Sequence, residues 1–521
     1  MKKTSLLSAM LVLAVAAKSP AQTNLIAHVH FAGADQISAD PNHFAFTNEF
    51  DSAEAQSLES QTLDKLSRAP GAWFKSKLPP GAGDSAAQLR PLLDDLLKSE
   101  WTFEMSDASG SPEYALAIRL SNDRAALWSK NLAAVLQSWT GIGIAQDKSG
   151  NWELRKHEPP NLFQFNHSGD WIVIDCGQDK LSLGVAILQG AARNTHWLSV
   201  DANWPRLAQL FPALAEFDFP KIQMQVVGRG GNLQLTGKLA LTQPLPPLEN
   251  WRLPTNAIHQ PLVSFTAARG VGPWLAKQGW MRPLEIQPQP DQIFVWALAR
   301  IPFQTFAAEP VPDAKAVLAQ LSQRLSADAS WERYFISPFT LTNANDEISW
   351  RGLPFIMPFV QAVREPAGDF LVGGFFPNPP KAPPPPPELL AALNQPNLVY
   401  YHWEVTAERL KELPQLSQLL LVLTRHEQIN EQSAAGKWLD HIEPALGSNV
   451  TEVTQTTPNE LTFKRTAPGG LTALELLALV DWLEAPKFPA LDLRLRSPPA
   501  RPGQRPFNMT SRPAAPAPPH Q

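Results

Sequence analysis

Alternating apolar and polar positions divide the chain into short strands separated by amphipathic helices, and one order of elements returns several times. YALAIRL (Tyr114 to Leu120) has the two-residue period of a half-buried strand. Asn122 can cap the helix after it, in which Leu127, Trp128, Leu132, Val135, Leu136 and Trp139 recur at helical spacing. GIGIAQDKSGNWELRKHE then predicts a hairpin turned at Asp147 to Gly150. A second unit begins with IFVWALARI (Ile293 to Ile301), continues in a helix after Pro312 with Val317, Leu318, Leu321 and Leu325 on one face, and closes with FTLTNANDEISWRGLP. A third runs from NLVYYHWEV (Asn397 to Val405) through a helix around Trp438, Leu439 and Ile442 to VTEVTQTTPNELTFKRTAP. WLSVDANWPRLAQLF followed by IQMQVVGRGGNLQLTGKLAL is a weaker relative, and LVSFTAARGVGPWLAKQ supplies strand and helix only. The segment LIAHVHFAG precedes a helix from Asp51 to Ala69 opened by an Asp51–Glu54 capping box.

These patterns predict an α+β protein of several repeated β-α-β-β modules, with mostly antiparallel sheets and helices packed on one face. GNWEL, NDEIS and PNELT mark three corresponding strands. Their alternation sets Leu154, Ile348 and Leu461 on one face, with Glu153, Glu347 and Glu460 on the other. A half-buried strand accommodates such acids as scaffold, and no recurring partner residue gives them a catalytic role. Spacing between the units varies, which excludes a regular solenoid.

At 521 residues the chain exceeds a single core, and its 51 prolines mark segment boundaries. The expected segments are a signal peptide (1–21), an N-terminal strand-plus-helices segment (22–110), two modules (111–260) and a third module region (261–376). A polyproline linker (377–388), a C-terminal module (389–496) and a disordered Pro/Arg tail (497–521) follow. MKKTSLLSAMLVLAVAAKSPA has the three parts of a secretory signal, with cleavage expected after Ala21 and an exported mature chain, periplasmic or extracellular. Removing Lys2, Lys3 and Lys18 with it takes the net charge from −5 to −8, which gives no electrostatic footprint for nucleic acid. LTALELLALVDWL is too short and too charged to span a bilayer, so no membrane span is expected. With Cys176 alone, no internal disulfide can form.

His28 and His30, two apart on a strand, point the same way and are the candidate metal ligands, with Asp35, Asp40 or His43 as a third. Cys176 in WIVIDCGQDK reads as a buried, inert thiol, because Asp175 and Asp179 raise its pKa. GRGG (Gly228 to Gly231) reads as a hairpin turn in preference to an anion nest. Motifs for serine hydrolases, zinc peptidases and P-loops are absent, so no catalytic residue and no cofactor is assigned. Glu404, Asp440 and Glu443 are among many carboxylates whose pairing the sequence leaves open. Most of the 17 tryptophans are expected in cores, Trp128, Trp139 and Trp438 among them.

LIAHVHFAGADQIS, LDKLSRAPGAWF and NLVYYHWEVTAERLKELPQLSQL give the chain a resemblance to large exported bacterial proteins of unknown function built from repeated strand-helix-hairpin units. The resemblance implies export and repeated architecture, with no activity attached. The first functional expectation is a non-catalytic envelope or periplasmic protein that binds an apolar ligand or a protein partner where layers meet. An exported hydrolase of envelope polymers, using His28, His30 or a carboxylate pair, is the alternative, and a structural spacer is the third.

Overall fold

In a computed structural model, the structure describes residues 25–489, apart from short stretches and the longer runs 178–182, 188–194, 276–289, 328–339, 377–382 and 412–431. The expected signal peptide, the Pro/Arg tail and His43 lie outside the described residues. The first half supplies β1 (Leu25–Phe31), β2 (Trp101–Ser106), β3 (Glu113–Arg119), β4 (Trp152–His157), β5 (Pro160–Ser168), β6 (Trp171–Gly177), β7 (Leu198–Asn203), β8 (Lys221–Arg229) and β9 (Asn232–Ala240). The second supplies β10 (Leu262–Arg269), β11 (Gln292–Leu298), β12 (Thr305–Val311), β13 (Thr340–Ala344), β14 (Glu347–Arg351), β15 (Phe359–Glu365), β16 (Gly368–Gly374), β17 (Leu398–Val405), β18 (Ser448–Thr457) and β19 (Glu460–Ala467). The helices used below are α1 (Ala34–Ala39), α2 (Ala53–Phe74), α3 (Ala86–Lys98), α4 (Asn122–Thr140), α5 (Trp204–Leu210), α6 (Gly272–Leu275), α7 (Ala314–Ala327), α8 (Pro387–Ala392), α9 (Ala434–Ile442) and α10 (Ala473–Glu484).

The 19 strands of the described residues join one open antiparallel sheet. Followed through its ladders, the sheet reads β4-β5-β6-β3-β2-β1-β7-β8-β9 and then β19-β18-β17-β10-β11-β12-β16-β15-β14-β13. The two halves follow the same path in opposite directions, with β13 as an added edge strand. They meet where β9 pairs antiparallel with β19, from Leu233↔Ala467 to Ala240↔Glu460. Hairpins turned at Gly230-Gly231 and at Pro458-Asn459 lead into those two strands.

The α+β class and the antiparallel pairing agree with the sequence pattern. What the ladders repeat, however, is a path through a whole half-chain, longer than the expected β-α-β-β module. The strand that feeds α7 is β12, whereas IFVWAL forms the preceding strand β11. Residues 141–146 pair as no strand, and β4 makes its hairpin with β5. Ser121 and Ser52, one residue from the expected caps, stand at the starts of α4 and α2. The ladders β9–β19 and β10–β17 cross the segment boundaries drawn at 260 and 388. Of the proline run, Pro383 and Pro384 accept hydrogen bonds from Gln260, and Leu389 and Leu393 are buried in the second-half core. No helix among the described residues is long and apolar enough to cross a membrane.

Register assigns each strand residue to a face. One face carries the helices: α3 and α4 cover Ile118, Trp152, Leu154, Phe165 and Ile172, α5 covers Val29, Val200 and Ala202, and α7 covers Ile348 and Leu371. Beside them α9 and α10 pack with α2 around Ala55, Leu58, Trp438, Leu476 and Val480. Leu154, Ile348 and Leu461 are all buried on this helix face, while Glu153, Glu347 and Glu460 lie on the other, as the alternation requires. In the second half the opposite face is also buried, by a core of Phe265, Phe294, Trp296, Phe306 and Phe370 covered by residues 251–258 and α8. Arg269, 2% exposed, fixes that cover by donating to the carbonyls of Glu249, Gln395, Pro396 and Leu398 beneath the Trp251 ring.

At the junction of halves a Cβ on Gly237 would meet the Gln223 carbonyl oxygen at 2.0 Å and the Phe463 ring at 2.5 Å. Gly237→Ala is therefore expected to lower the urea midpoint by the equivalent of about 1–3 kcal/mol, as overpacking in a closed site does. An unchanged midpoint would show that the two strands can part there without cost.

Candidate functional site

On the face opposite the helices, the first half carries two rows of polar side chains across its strands. One row is Asp175, Ala115, Glu104, His28, Asp201 and Gln223; the next is Val173, Ala117, Thr102, His30, Ser199 and Gln225. His28 Nδ1 donates to Glu104 Oε1 over 2.9 Å, and His30 Nε2 donates to Glu100 Oε1 over 3.1 Å. A carboxylate only accepts, so the donating nitrogen is Nδ1 in one ring and Nε2 in the other. Glu100 also accepts from Gln36 and from Arg119. Burial raises its pKa, but the His30 bond and the charges of His30 and Arg119 outweigh burial and leave it below the ordinary carboxylate value. Asp201 accepts from Gln223 at 2.7 Å and pairs with Lys221 at 3.3 Å.

His28 and His30 lie on one face of β1, and each is held by its own glutamate. Among the described residues no group of three or more His, Cys, Asp or Glu is placed to hold a metal. Of the suggested third ligands, Asp40 accepts from Trp197 Nε1 and from the Asn42 amide, and Asp35 lies on α1 beside a separate cleft. His30 is 1% exposed, so it cannot meet a dissolved substrate in this conformation. The partners Glu100 and Glu104 carried a readable signal: EWTFEMS alternates, and its Glu, Thr and Glu fall on one face.

Asp175, at the end of the first row, and Glu113, on the same face, are 5% and 7% exposed. Glu113 accepts from the Leu183 amide at 2.8 Å, and Gly184 donates to Asp175. Gly184 sits so close that a Cβ there would fall 1.8 Å from Asp175 Oδ2. Burial first, and then the Glu113 carboxylate, push Asp175 up to about 7. Cys176 lies on the helix face opposite Tyr114, where burial, followed by Asp175, raises its thiol to about 12 and leaves it a poor nucleophile. The GRGG segment forms the β8–β9 turn, with Gly230 and Gly231 at positive φ.

Glu404 lies on the helix face of β17 and is 3% exposed. It accepts from Thr406 and from the Ala473 amide at the start of α10, and His402 Nε2 stands 3.3 Å away. Burial raises its pKa, and these partners more than reverse the shift. It serves as an anchor for α10. Trp128 and Trp438 are buried in their helices' cores, and half-buried Trp139 donates to Ser85.

A second feature lies on the helix face at the junction of the halves. Ile222 and Met224 on β8, Leu235 and Leu239 on β9, Phe463 on β19 and Val453 on β18 share that face and are only half-buried. Leu461, beside them, is buried. The strip runs between the α5 core and the α9–α10 core. No family model, no curated protein and no solved structure matches the chain.

Asp175 sets a pH dependence. Between about pH 4 and 7 the folded chain keeps a proton that the unfolded chain has released, so this residue favours the fold at low pH. Its contribution is lost as pH rises through about 7, with an upper limit of about 4 kcal/mol for a shift of this size. Asp175→Asn, which keeps an acceptor for Gly184, is expected to flatten the fall in urea midpoint between about pH 5 and 8. An identical slope in the variant would show that Asp175 ionises normally.

Proposed function

We propose that the protein is a non-catalytic, exported binding protein whose apolar ligand, or the apolar segment of an envelope partner, lies along the strip where the halves meet. The half-covered row of Ile222, Met224, Leu235, Leu239, Val453 and Phe463 carries this reading, since it runs between the α5 core and the α9–α10 core and only Met224 packs against either. Contiguous apolar surface flanked by packed helices favours occupation, because covering it removes it from water at roughly 25 cal/mol per Å². The buried His–Glu pairs support a binding role over a hydrolytic one, as each ring already bonds a glutamate through one nitrogen and His30 is closed off from solvent.

A fluorescent fatty acid titrated into the full chain is expected to bind saturably, close to one per chain. Leu235→Glu and Phe463→Glu should each weaken it at least tenfold without unfolding the protein, as judged by circular dichroism. Absence of saturable binding, together with a bare chain mass for protein recovered from an exporting host, would sink the proposal.

A further inference from the structure

A polar cleft of ≈430 Å³ opens at the rim of the first half, where β3 ends and α4 begins, away from the apolar strip. Six charged side chains line it: Asp35, Asp95, Lys98, Arg119, Arg124 and Asp170. They fall into two groups. Arg124 and Asp95 are committed to each other through a bidentate pair at 2.8 to 3.1 Å, with Asp95 also accepting from Trp128 and Arg124 donating to Pro91 O. That pair forms a neutral wall.

The other four are held loosely or not at all. Arg119 and Asp170 stand 3.9 Å apart, the limit of an ion pair, with side chains 51% and 78% exposed, and the further hold on Arg119 from Glu100 is long at 3.4 Å. Lys98 is exposed and forms no ion pair among the described residues. Asp35 is an exposed acid on the facing helix α1. Ser121, which also lines the cleft, makes no side-chain cap bond to α4. The cleft thus offers a loosely paired Arg119 and Asp170, a Lys98 and an Asp35 without an ion pair among the described residues, and unused hydroxyl capacity within one concave site.

We infer that this cleft binds a small zwitterion, of the class of a free α-amino acid or the joined termini of a very short peptide. Its carboxylate meets Arg119 and Lys98, and its ammonium meets Asp170 and Asp35, opening the loose Arg119–Asp170 pair by insertion. A simple anion would face two uncompensated aspartates, and a simple amine two uncompensated cations. Only a molecule carrying both charges a few bonds apart satisfies all four groups. Exposed charges are screened, so binding should weaken as salt rises.

The test uses the full chain in low-salt buffer, with calorimetry and ligand-observed NMR. L-alanine and glycylglycine are the zwitterionic probes; acetate, methylamine and inorganic phosphate are the single-charge controls. Saturable binding of a zwitterion at least tenfold tighter than any control, weakened at least tenfold by Arg119→Gln and by Asp170→Asn, is expected. Lys98→Met, on an exposed side chain, should weaken it severalfold and keeps the test open if Arg119→Gln fails to fold. No saturable zwitterion binding, equal binding of acetate or phosphate, or binding that all three variants leave unchanged would each overturn the assignment. A fatty-acid titration on the same variants should be unchanged, which separates this site from the apolar strip.

Discussion

The ladder between β9 and β19 is the constraint on which the rest of the architecture depends. Each half alone would end in a long unpaired edge, which proteins ordinarily cover or blunt. Pairing the two edges removes both at once and turns two half-sheets into one. The side chains along the ladder add little by themselves. Lys238 reaches Glu460 at 2.9 Å, but the lysine is half exposed, and such pairs contribute about 0–1 kcal/mol. The register is fixed instead by shape, because Phe463 lies over Gly237 and any other residue at that position would push the strands apart.

The halves share a path but not an interior. Counting outward along the ladders, Glu104, His28 and Asp201 of the first half occupy the places of Trp296, Phe265 and Trp403 in the second. Thr102, His30 and Ser199 likewise match Phe294, Ala267 and Tyr401. The second half shows that this fold can fill the position with aromatic rings. Buried charge pairs are therefore not required by the topology, and replacing such pairs by well-packed apolar groups is often neutral or stabilising. Both halves nevertheless dock a covering segment in a similar way, by hydrogen bonds between buried charged side chains of the sheet and backbone groups of the cover. Arg269 donates to carbonyls in the second half, and Glu113 and Asp175 accept amides of Leu183 and Gly184 in the first.

Local features were legible in the sequence because local chemistry decides them. The β8–β9 turn follows from two glycines at positive φ, and α9 from the spacing of Trp438, Leu439 and Ile442. Alternation alone sent Leu154, Ile348 and Leu461 inward. Pairing across long separations was not legible. His28 meets Glu104 across 76 residues, and β9 meets β19 across more than 200, with no motif at either end to announce it. The half-chain repeat was hidden for a related reason: polar residues in one copy stand where aromatics stand in the other, so the copies differ most where a repeat search would look. β12 escaped because Glu309 and Pro310 interrupt its apolar pattern, although both sit within the strand.

The half-covered strip at the junction follows from the one place where the copies part company. After β19 the chain enters α10, anchored through Thr472, Glu475 and Glu404, and its core reaches Leu233 at the start of β9. After β9 there is no corresponding helix. Residues 241–250 run extended beside the β18–β19 turn, bonded from Leu241 to Asn459 and from Leu245 to Pro458. From there the chain crosses to the opposite face, where Trp251 and Leu253 close the aromatic core. The segment that would complete the helix layer over β8 and β9 is thus spent on the other side of the sheet. Leu235 and Leu239 are left half-buried beside Phe463. The routing of the chain thus leaves six half-buried apolar side chains in a row across the join of the two halves.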